Sequence, residues 1–105
     1  LSTLKGRHVC ILGDMLELGE TTNQLHRGVG EAAVRNGVEL IIACGTLAKH
    51  IFEGARDAGG NAIYFESKEA LFEHLAALIQ TGDNVLVKAS HSMAFEKIVE
   101  ALEKL

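Results

Sequence analysis

The 105-residue sequence predicts an α/β domain: a three-layer, Rossmann-like fold with a mainly parallel sheet flanked by helices. Three observations support this. Four short, nearly continuous apolar runs alternate with four longer amphipathic stretches, hydrophobic residues make up 48% of the chain, and eleven glycines but no proline are available for turns. Strands that are covered on both faces read as unbroken apolar runs, and strands joined by helices are parallel with right-handed crossovers. We therefore expect the strand order 3-2-1-4.

The first two strands are predicted at His8–Leu12 and Leu40–Ala43. A helix between them should begin near Thr21, because Thr21 and Gln24 have the spacing of a capping box. It should end before Gly37, which can adopt the left-handed conformation common after helices. The positions of this helix predicted to face the core are Leu25, Val29, Ala32 and Ala33.

The third and fourth strands are predicted at Ala62–Phe65 and Asn84–Val87. The second helix should be capped by Thr46, the third by Ser67 and a fourth by Ser92. The residues predicted to face the core are Ala48, Ile51, Phe52 and Ala55 in the second helix, Leu71, Leu75, Leu78 and Ile79 in the third, and Phe95, Ile98, Val99 and Leu102 in the fourth.

Composition excludes several classes of partner. The net charge of −4 and pI near 5.7 argue against a surface for nucleic acid or an anionic membrane. No apolar run approaches the ~20 residues of a membrane span, and no signal peptide is visible. Cys10 and Cys44 lie in apolar runs as buried free thiols, and the five histidines show no ligand spacing. We expect a cytoplasmic protein that holds no metal by itself and, because it begins at Leu1 without Met, a fragment of a longer chain.

Topology predicts where a site should lie. In an open parallel sheet, ligands bind beyond the carboxyl ends of the strands, where the strand order reverses, here between strands one and four. The connection after strand one, residues 13–20, is longer than the usual ~2–6 residues, and the connection after strand four, residues 88–91, is polar. The candidate substrate-binding residues in these loops are Asp14, Met15, Glu17, Leu18, Lys88, Ser90 and His91, with His26 and Ser92 as possible support. The two loops should face one another across a shared crevice.

These residues also have structural interpretations. Asp14 suits a turn cap, Glu17 a solvated loop charge, and Lys88 a strand end whose ammonium group reaches solvent. Ser92 is better interpreted as a helix cap than as a nucleophile, and His26 alone is more often structural. Neither a GxGxxG dinucleotide motif nor a GxxxxGK[ST] phosphate loop is present. A substrate-binding or accessory domain therefore fits better than a nucleotide-binding one.

Two stretches carry a resemblance to a known family. They are residues 9–20, VCILGDMLELGE, followed by His26 and Val29-Gly30, and residues 82–91, GDNVLVKASH. They resemble the LGDM-x-ELG and GD-x-VLVKGSR motifs in the C-terminal domain of Mur ligases, in the branch that adds D-alanyl-D-alanine, and the match covers essentially the whole chain. Ala89 and His91 depart from the usual Gly and Arg. An imidazole is not a permanent cation, so a contact of the family's Arg with an anion would be weaker or pH-dependent here.

The resemblance implies that residues 1–105 form one domain, the third of an ATP-dependent ligase of peptidoglycan biosynthesis. The other domains would bind UDP-N-acetylmuramoyl-tripeptide, ATP and Mg²⁺. ATP would phosphorylate the terminal carboxylate of the tripeptide, and the amine of D-alanyl-D-alanine would attack the acyl phosphate. This domain would present the dipeptide and close over ATP, with no catalytic residue of its own, and would be inactive in isolation.

In that role, acidic side chains would face the ammonium group of the dipeptide, and cationic or hydroxyl groups its carboxylate. The acidic pair is Asp14 and Glu17, and Lys88 and Ser90 are the partners of the carboxylate. Met15 and Leu18 would contact the methyl groups. Two alternatives stay open: the substrate domain of another Mur or folylpolyglutamate-type amide ligase, and a stand-alone Rossmann-like binding module.

Overall fold

In the described part of the chain, three helices alternate with four strands. The computed structural model describes residues 6–14, 22–80 and 82–88. The elements are β1 (His8–Gly13), α1 (Thr22–Arg35), β2 (Leu40–Cys44), α2 (Lys49–Asp57), β3 (Ala62–Phe65), α3 (Lys68–Leu78) and β4 (Asn84–Lys88). All strand pairs are parallel, and the order is β3-β2-β1-β4. The predicted α/β class and strand order are confirmed, while the predicted fourth helix lies outside the described residues.

The sheet is covered on both faces, which explains the unbroken apolar runs of β1 and β2. Alternate side chains of each strand point to opposite faces. One face packs against α3 through the buried residues Val9, Ile11, Leu40, Ile42, Cys44, Leu71 and Leu75. The other face packs against α1 and α2 through Cys10, Leu12, Val38, Ile41, Ala43, Ala48, Ile51 and Ala55. Every residue of β1 and β2 is buried, so these two strands form the centre of the domain.

Helices α1 and α2 touch through their backbones. A Cβ atom built on Gly30 of α1 would collide with the carbonyl oxygen of Ile51, and one built on Gly54 of α2 would collide with the carbonyl oxygen of Arg27. Only glycine leaves room for so close an approach. The contact therefore fixes the rotation of α1 about its axis.

That rotation makes one predicted core position wrong. Leu25 is 46% exposed, whereas the next residue, His26, is fully buried. The predicted face placed the bulky leucine inward, but the backbone contact at Gly30 turns α1 so that His26 faces inward instead. Val29 and Ala33 are partly buried against the core, as predicted.

The start of α2 also differs from prediction. Thr46 is exposed and the helix begins at Lys49, so the predicted Thr46 cap is wrong. Instead, the carboxylate of Asp14, beyond the end of β1, accepts a hydrogen bond from the Ala48 backbone N–H at 2.7 Å. The predicted cap of α3 is confirmed, because the Ser67 hydroxyl accepts from the Ala70 N–H at 3.2 Å. A helix cap from an adjacent residue can be predicted from the local sequence, whereas a cap from a residue that follows another strand cannot.

A two-point ion pair joins the entries to β1 and β4. The Arg7 guanidinium donates to both carboxylate oxygens of Asp83, at 3.1 and 2.7 Å, and also to the Leu78 carbonyl at 2.7 Å. The Gln80 N–H donates to Asp83 at 2.8 Å, and the Asp83 side chain is only 3% exposed. The hydrogen bond from Arg7 holds the pKa of Asp83 below its ordinary value. The ionised carboxylate therefore stabilises the fold.

Asp83→Asn is expected to lower the free energy of unfolding by about 1.5–3 kcal/mol at pH 7, the usual contribution of a hydrogen bond to a charged group. Because the pKa of Asp83 is lowered in the folded state, its ionised carboxylate contributes fully to the stability of the wild type above the ordinary aspartate pKa, about 3.9. This contribution is lost as the pH falls through the lower folded-state value. The stability gap between variant and wild type should therefore narrow below about pH 4.

Urea unfolding at several pH values measures this gap. Asp57→Asn is the matched control, because Asp57 also pairs with arginine but is 45% exposed. It should lower stability much less, since solvent screens an exposed pair. A gap for Asp83→Asn that stays constant down to pH 2 would contradict the proposed linkage.

Candidate functional site at the ends of β1 and β4

The carboxyl ends of β1 and β4 lie side by side. Leu12 pairs with Lys88 in the parallel register of the two strands, so β1 and β4 end at neighbouring positions. This is the adjacency that the predicted strand order required. Of the predicted site residues, the structure describes Asp14, His26 and Lys88. The others, Met15, Glu17, Leu18, Ser90, His91 and Ser92, lie outside the described residues.

Lys88, the last residue of β4, is exposed. It borders a groove of about 480 Å³ between β4 and α1, whose walls include Leu12, Val29 and the 43%-exposed Leu86. Within the described part of the chain, its ammonium group has no hydrogen-bond or ion-pair partner. The exposed ammonium group lies at the β1–β4 edge, where a cation can attract an anionic group.

Asp14 follows β1 but turns away from β4. It is only 7% exposed, and its Oδ1 accepts the Ala48 N–H of the β2–α2 connection. It also borders a depression of about 280 Å³ at the carboxyl ends of β2 and β3, together with Gly45, Thr46 and Glu66. This geometry favours the turn-stabilising interpretation of Asp14, and a contact with substrate remains a prediction.

Gly45, directly after β2, is hydrogen-bonded to the end of β3. Its N–H donates to the Phe65 carbonyl at 3.0 Å, and the Tyr64 hydroxyl donates to its carbonyl at 2.8 Å. Burial, with a smaller effect from the charges of Glu66 and Asp14, raises the pKa of Tyr64, so the phenol stays a neutral donor. The sequence interpretation missed Gly45 and Ala48 as neighbours of Asp14. A glycine directly after a buried strand was the available signal.

The cysteines are unsuited to nucleophilic chemistry. Both are buried and free. Burial, followed by the nearby charge of Asp14, raises the pKa of Cys44 to about 11, and burial also raises that of Cys10. Nucleophilic attack by cysteine requires the thiolate, which is scarce at neutral pH at such values. The prediction that both are buried thiols is confirmed.

His26 is fully buried in α1. Burial agrees with the structural interpretation of this histidine, and its predicted support of the site stays a prediction. Among residues 6–14, 22–80 and 82–88, no group of three or more His, Cys, Asp or Glu side chains is arranged to hold a metal ion. No helix in the same ranges is long and apolar enough to cross a membrane.

A four-stranded parallel sheet with helices on both faces defines an open α/β domain, a class in which ligands commonly bind where the strand order reverses. The family model for the "Mur ligase, glutamate ligase domain" matches residues 1–91. The chain therefore belongs to the Mur ligase family.

Several relatives within the family share one name, UDP-N-acetylmuramoyl-tripeptide–D-alanyl-D-alanine ligase. The Escherichia coli K12 ligase is 36% identical over 106 residues, which cover 99% of this chain and 23% of that protein. The Bacillus subtilis 168 ligase is 30% identical over 99 residues, covering 92% of this chain and 22% of that protein. Among solved structures, MurF from Acinetobacter baumannii superposes with a TM-score of 0.84 at 27% identity, covering 96% of this chain and 23% of that one. The chain thus spans under a quarter of the length of these relatives.

Proposed function

We propose that residues 1–105 form the C-terminal, amino-acid-substrate domain of a three-domain ligase that joins D-alanyl-D-alanine to UDP-N-acetylmuramoyl-tripeptide. The observation that supports the proposal is the pairing of Leu12 with Lys88, which sets the carboxyl ends of β1 and β4, the strands that the two motifs continue from, side by side. The 36% identity to the E. coli ligase supports this choice of substrates. The step belongs to the cytoplasmic part of peptidoglycan biosynthesis.

The chemistry of the dipeptide fits this edge. D-Alanyl-D-alanine is a zwitterion, so its site needs a cation or hydrogen-bond donors near the carboxylate and an anion near the ammonium group. The exposed ammonium group of Lys88, for which no partner is found among the described residues, meets the first requirement. An acidic residue of the β1 loop, Asp14 or Glu17, would meet the second. The remaining proposed contacts are Met15, Leu18, Ser90 and His91, with His26 and Ser92 in support.

The proposed contribution to catalysis is positional. Holding the dipeptide amine against an acyl phosphate replaces a bimolecular encounter and is worth several kcal/mol, up to about 7–11 in ideal cases. Closure of the domain would bring the β1–β4 edge to the reacting carboxylate. The sequence lacks a phosphate loop, and the described residues lack a metal-binding group, so we place ATP and Mg²⁺ mainly in the other domains.

Lys88→Ala in the full-length ligase tests the proposal. Loss of a charge-assisted hydrogen bond should raise the KM for D-alanyl-D-alanine at least about tenfold, while the KM values for ATP and the UDP-tripeptide change less than about twofold. Steady-state kinetics with each substrate varied in turn measures the effect. Lys68→Ala is the matched control, since Lys68 begins α3 on the β3 side of the sheet. An unchanged dipeptide KM would remove Lys88 from the site.

One observation favours a second candidate. The description of the matching family model names glutamate, so an enzyme that adds a single amino acid, including one of the folylpolyglutamate type, is the alternative. A screen of the full-length ligase against D-alanyl-D-alanine, glutamate and other single amino acids separates the two. Turnover with a single amino acid but not with the dipeptide would replace the proposed function.

A further inference from the structure

The carboxylate of Asp14 is engaged in holding two loops together. Its Oδ1 accepts the N–H of Ala48, thirty-four residues along the chain, at 2.7 Å, and the bond is buried. Carboxylates at helix N-termini satisfy backbone N–H groups that have no partner in the helix, and they interact favourably with the helix dipole. Ala48 is the N-cap residue of α2 and offers no side-chain cap of its own. Asp14 therefore performs from β1 the capping that α2 lacks locally.

The fit around this carboxylate is tight. Gly45 has φ +127°, and a Cβ atom there would lie 2.5 Å from Asp14 Oδ1. The hydrogen bonds from Gly45 N–H to Phe65 and from Tyr64 to the Gly45 carbonyl hold the opposite side of this turn to β3. The carboxylate thus fills a space that is fixed by three strand ends.

We propose that Asp14 is a positioning residue: its carboxylate clamps the β2–α2 turn to the end of β1 and thereby fixes the position of that strand end, from which the motif-bearing sequence continues. This inference rests on the proposed function, and it gives Asp14 a role other than contact with the ammonium group of the dipeptide. The side chain points toward β2, on the side of β1 opposite β4 and Lys88. An ammonium ion bound at the β1–β4 edge would have to draw the carboxylate out of its buried bond.

Asp14→Ala and Asp14→Asn in the full-length ligase separate the two roles. If Asp14 positions the end of β1, alanine should lower kcat by about 30–100-fold, the scale of an ångström-sized misplacement, with the dipeptide KM within about threefold. Asparagine keeps an oxygen acceptor for the Ala48 N–H and should restore most of the lost kcat. If Asp14 instead meets the ammonium group, both variants should raise the dipeptide KM more than about tenfold, and the proposal fails. It also fails if alanine changes neither constant.

Gly45→Ala perturbs the clamp without removing the carboxylate. The new methyl group should displace Asp14 and lower kcat as Asp14→Ala does, which keeps the proposal testable if Asp14→Ala does not fold. Gly59→Ala is the matched control, because Gly59 also has a positive φ, +87°, but no atom would lie within 4 Å of its Cβ. Both variants carry backbone strain, so a kcat that falls equally in the two would overturn the proposal.

Hydrogen exchange separates this inference from the proposed function. In the full-length protein, Asp14→Ala should speed amide exchange in peptides covering residues 45–50, and Asp14→Asn should do so much less. This readout needs no substrate. A wild-type enzyme that does not ligate D-alanyl-D-alanine, yet shows this exchange pattern, refutes the proposed function but not the clamp. Unchanged exchange in Asp14→Ala refutes the clamp.

Discussion

Gly30→Ala is expected to lower the free energy of unfolding of this chain by more than about 3 kcal/mol, at the upper end for overpacked sites. A methyl group at Gly30 would collide with the Ile51 carbonyl oxygen and lie 2.8 Å from the Ala55 nitrogen, and both are backbone atoms of α2. Backbone cannot rotate aside as a side chain does, so α1 and α2 must separate. For a domain of this size the midpoint of thermal unfolding should fall by about 12 °C or more.

Gly28→Ala, two residues earlier on α1, provides a control of opposite sign. Nothing lies within 4 Å of a Cβ atom at Gly28. Alanine should therefore only reduce the conformational freedom of the unfolded chain and raise stability by about 0.4–1 kcal/mol. The two variants make the same chemical change in the same helix, so intrinsic helix propensity cannot account for a difference between them.

Thermal and urea unfolding of both variants tests the contact. Gly54→Ala should destabilise as strongly as Gly30→Ala, because its methyl group would meet the Arg27 carbonyl from the other side of the same crossing. Similar stability of Gly28→Ala and Gly30→Ala would show that the helices do not approach so closely.

The fold was predictable because its main signals are local or topological. The unbroken apolar runs of β1 and β2 follow from burial on both faces, and the order β3-β2-β1-β4 follows from right-handed crossovers. The rotation of α1 was not predictable in the same way. The rotation depends on the close contact between Gly30 and the backbone of α2. Hydrophobic periodicity gives glycine little weight, so it placed the exposed Leu25 on the inward face.

Some features of the candidate site were likewise predictable from the sequence, and others were not. The meeting of the β1 and β4 ends follows from strand order alone, and the Leu12–Lys88 register agrees with it. The role of Asp14 depends on a partner thirty-four residues away, which no local pattern indicates. Thr46 looked like the cap of α2 because threonine is a good local cap, but the helix begins later and Asp14 accepts the Ala48 N–H instead. Long-range hydrogen bonds of this kind cannot be predicted from local sequence patterns.

Residues 1–105 alone are expected to catalyse neither ligation nor ATP hydrolysis, even with the UDP-tripeptide, ATP, Mg²⁺ and D-alanyl-D-alanine all supplied. The sequence has no phosphate loop, and within the described ranges no group of three or more acidic, His or Cys side chains is arranged to hold a metal ion. The proposed contribution of the chain is to hold an amine against an acyl phosphate that another domain must generate. Without the acyl phosphate there is no reacting group for the amine to be held against, so the positional contribution of up to about 7–11 kcal/mol is lost.

Phosphate release and dipeptide incorporation, measured at a high concentration of the chain beside a low concentration of the full-length ligase, test this expectation. Supplying the chain in trans to a ligase that lacks it should restore little activity. Covalent linkage provides an effective concentration in the millimolar range for short linkers, far above that of two separate proteins at micromolar concentration. ATP hydrolysis by the pure chain above background would contradict the assignment of ATP to other domains. Full recovery in trans would mean that the domains associate without the linkage, so that closure would not depend on the covalent connection.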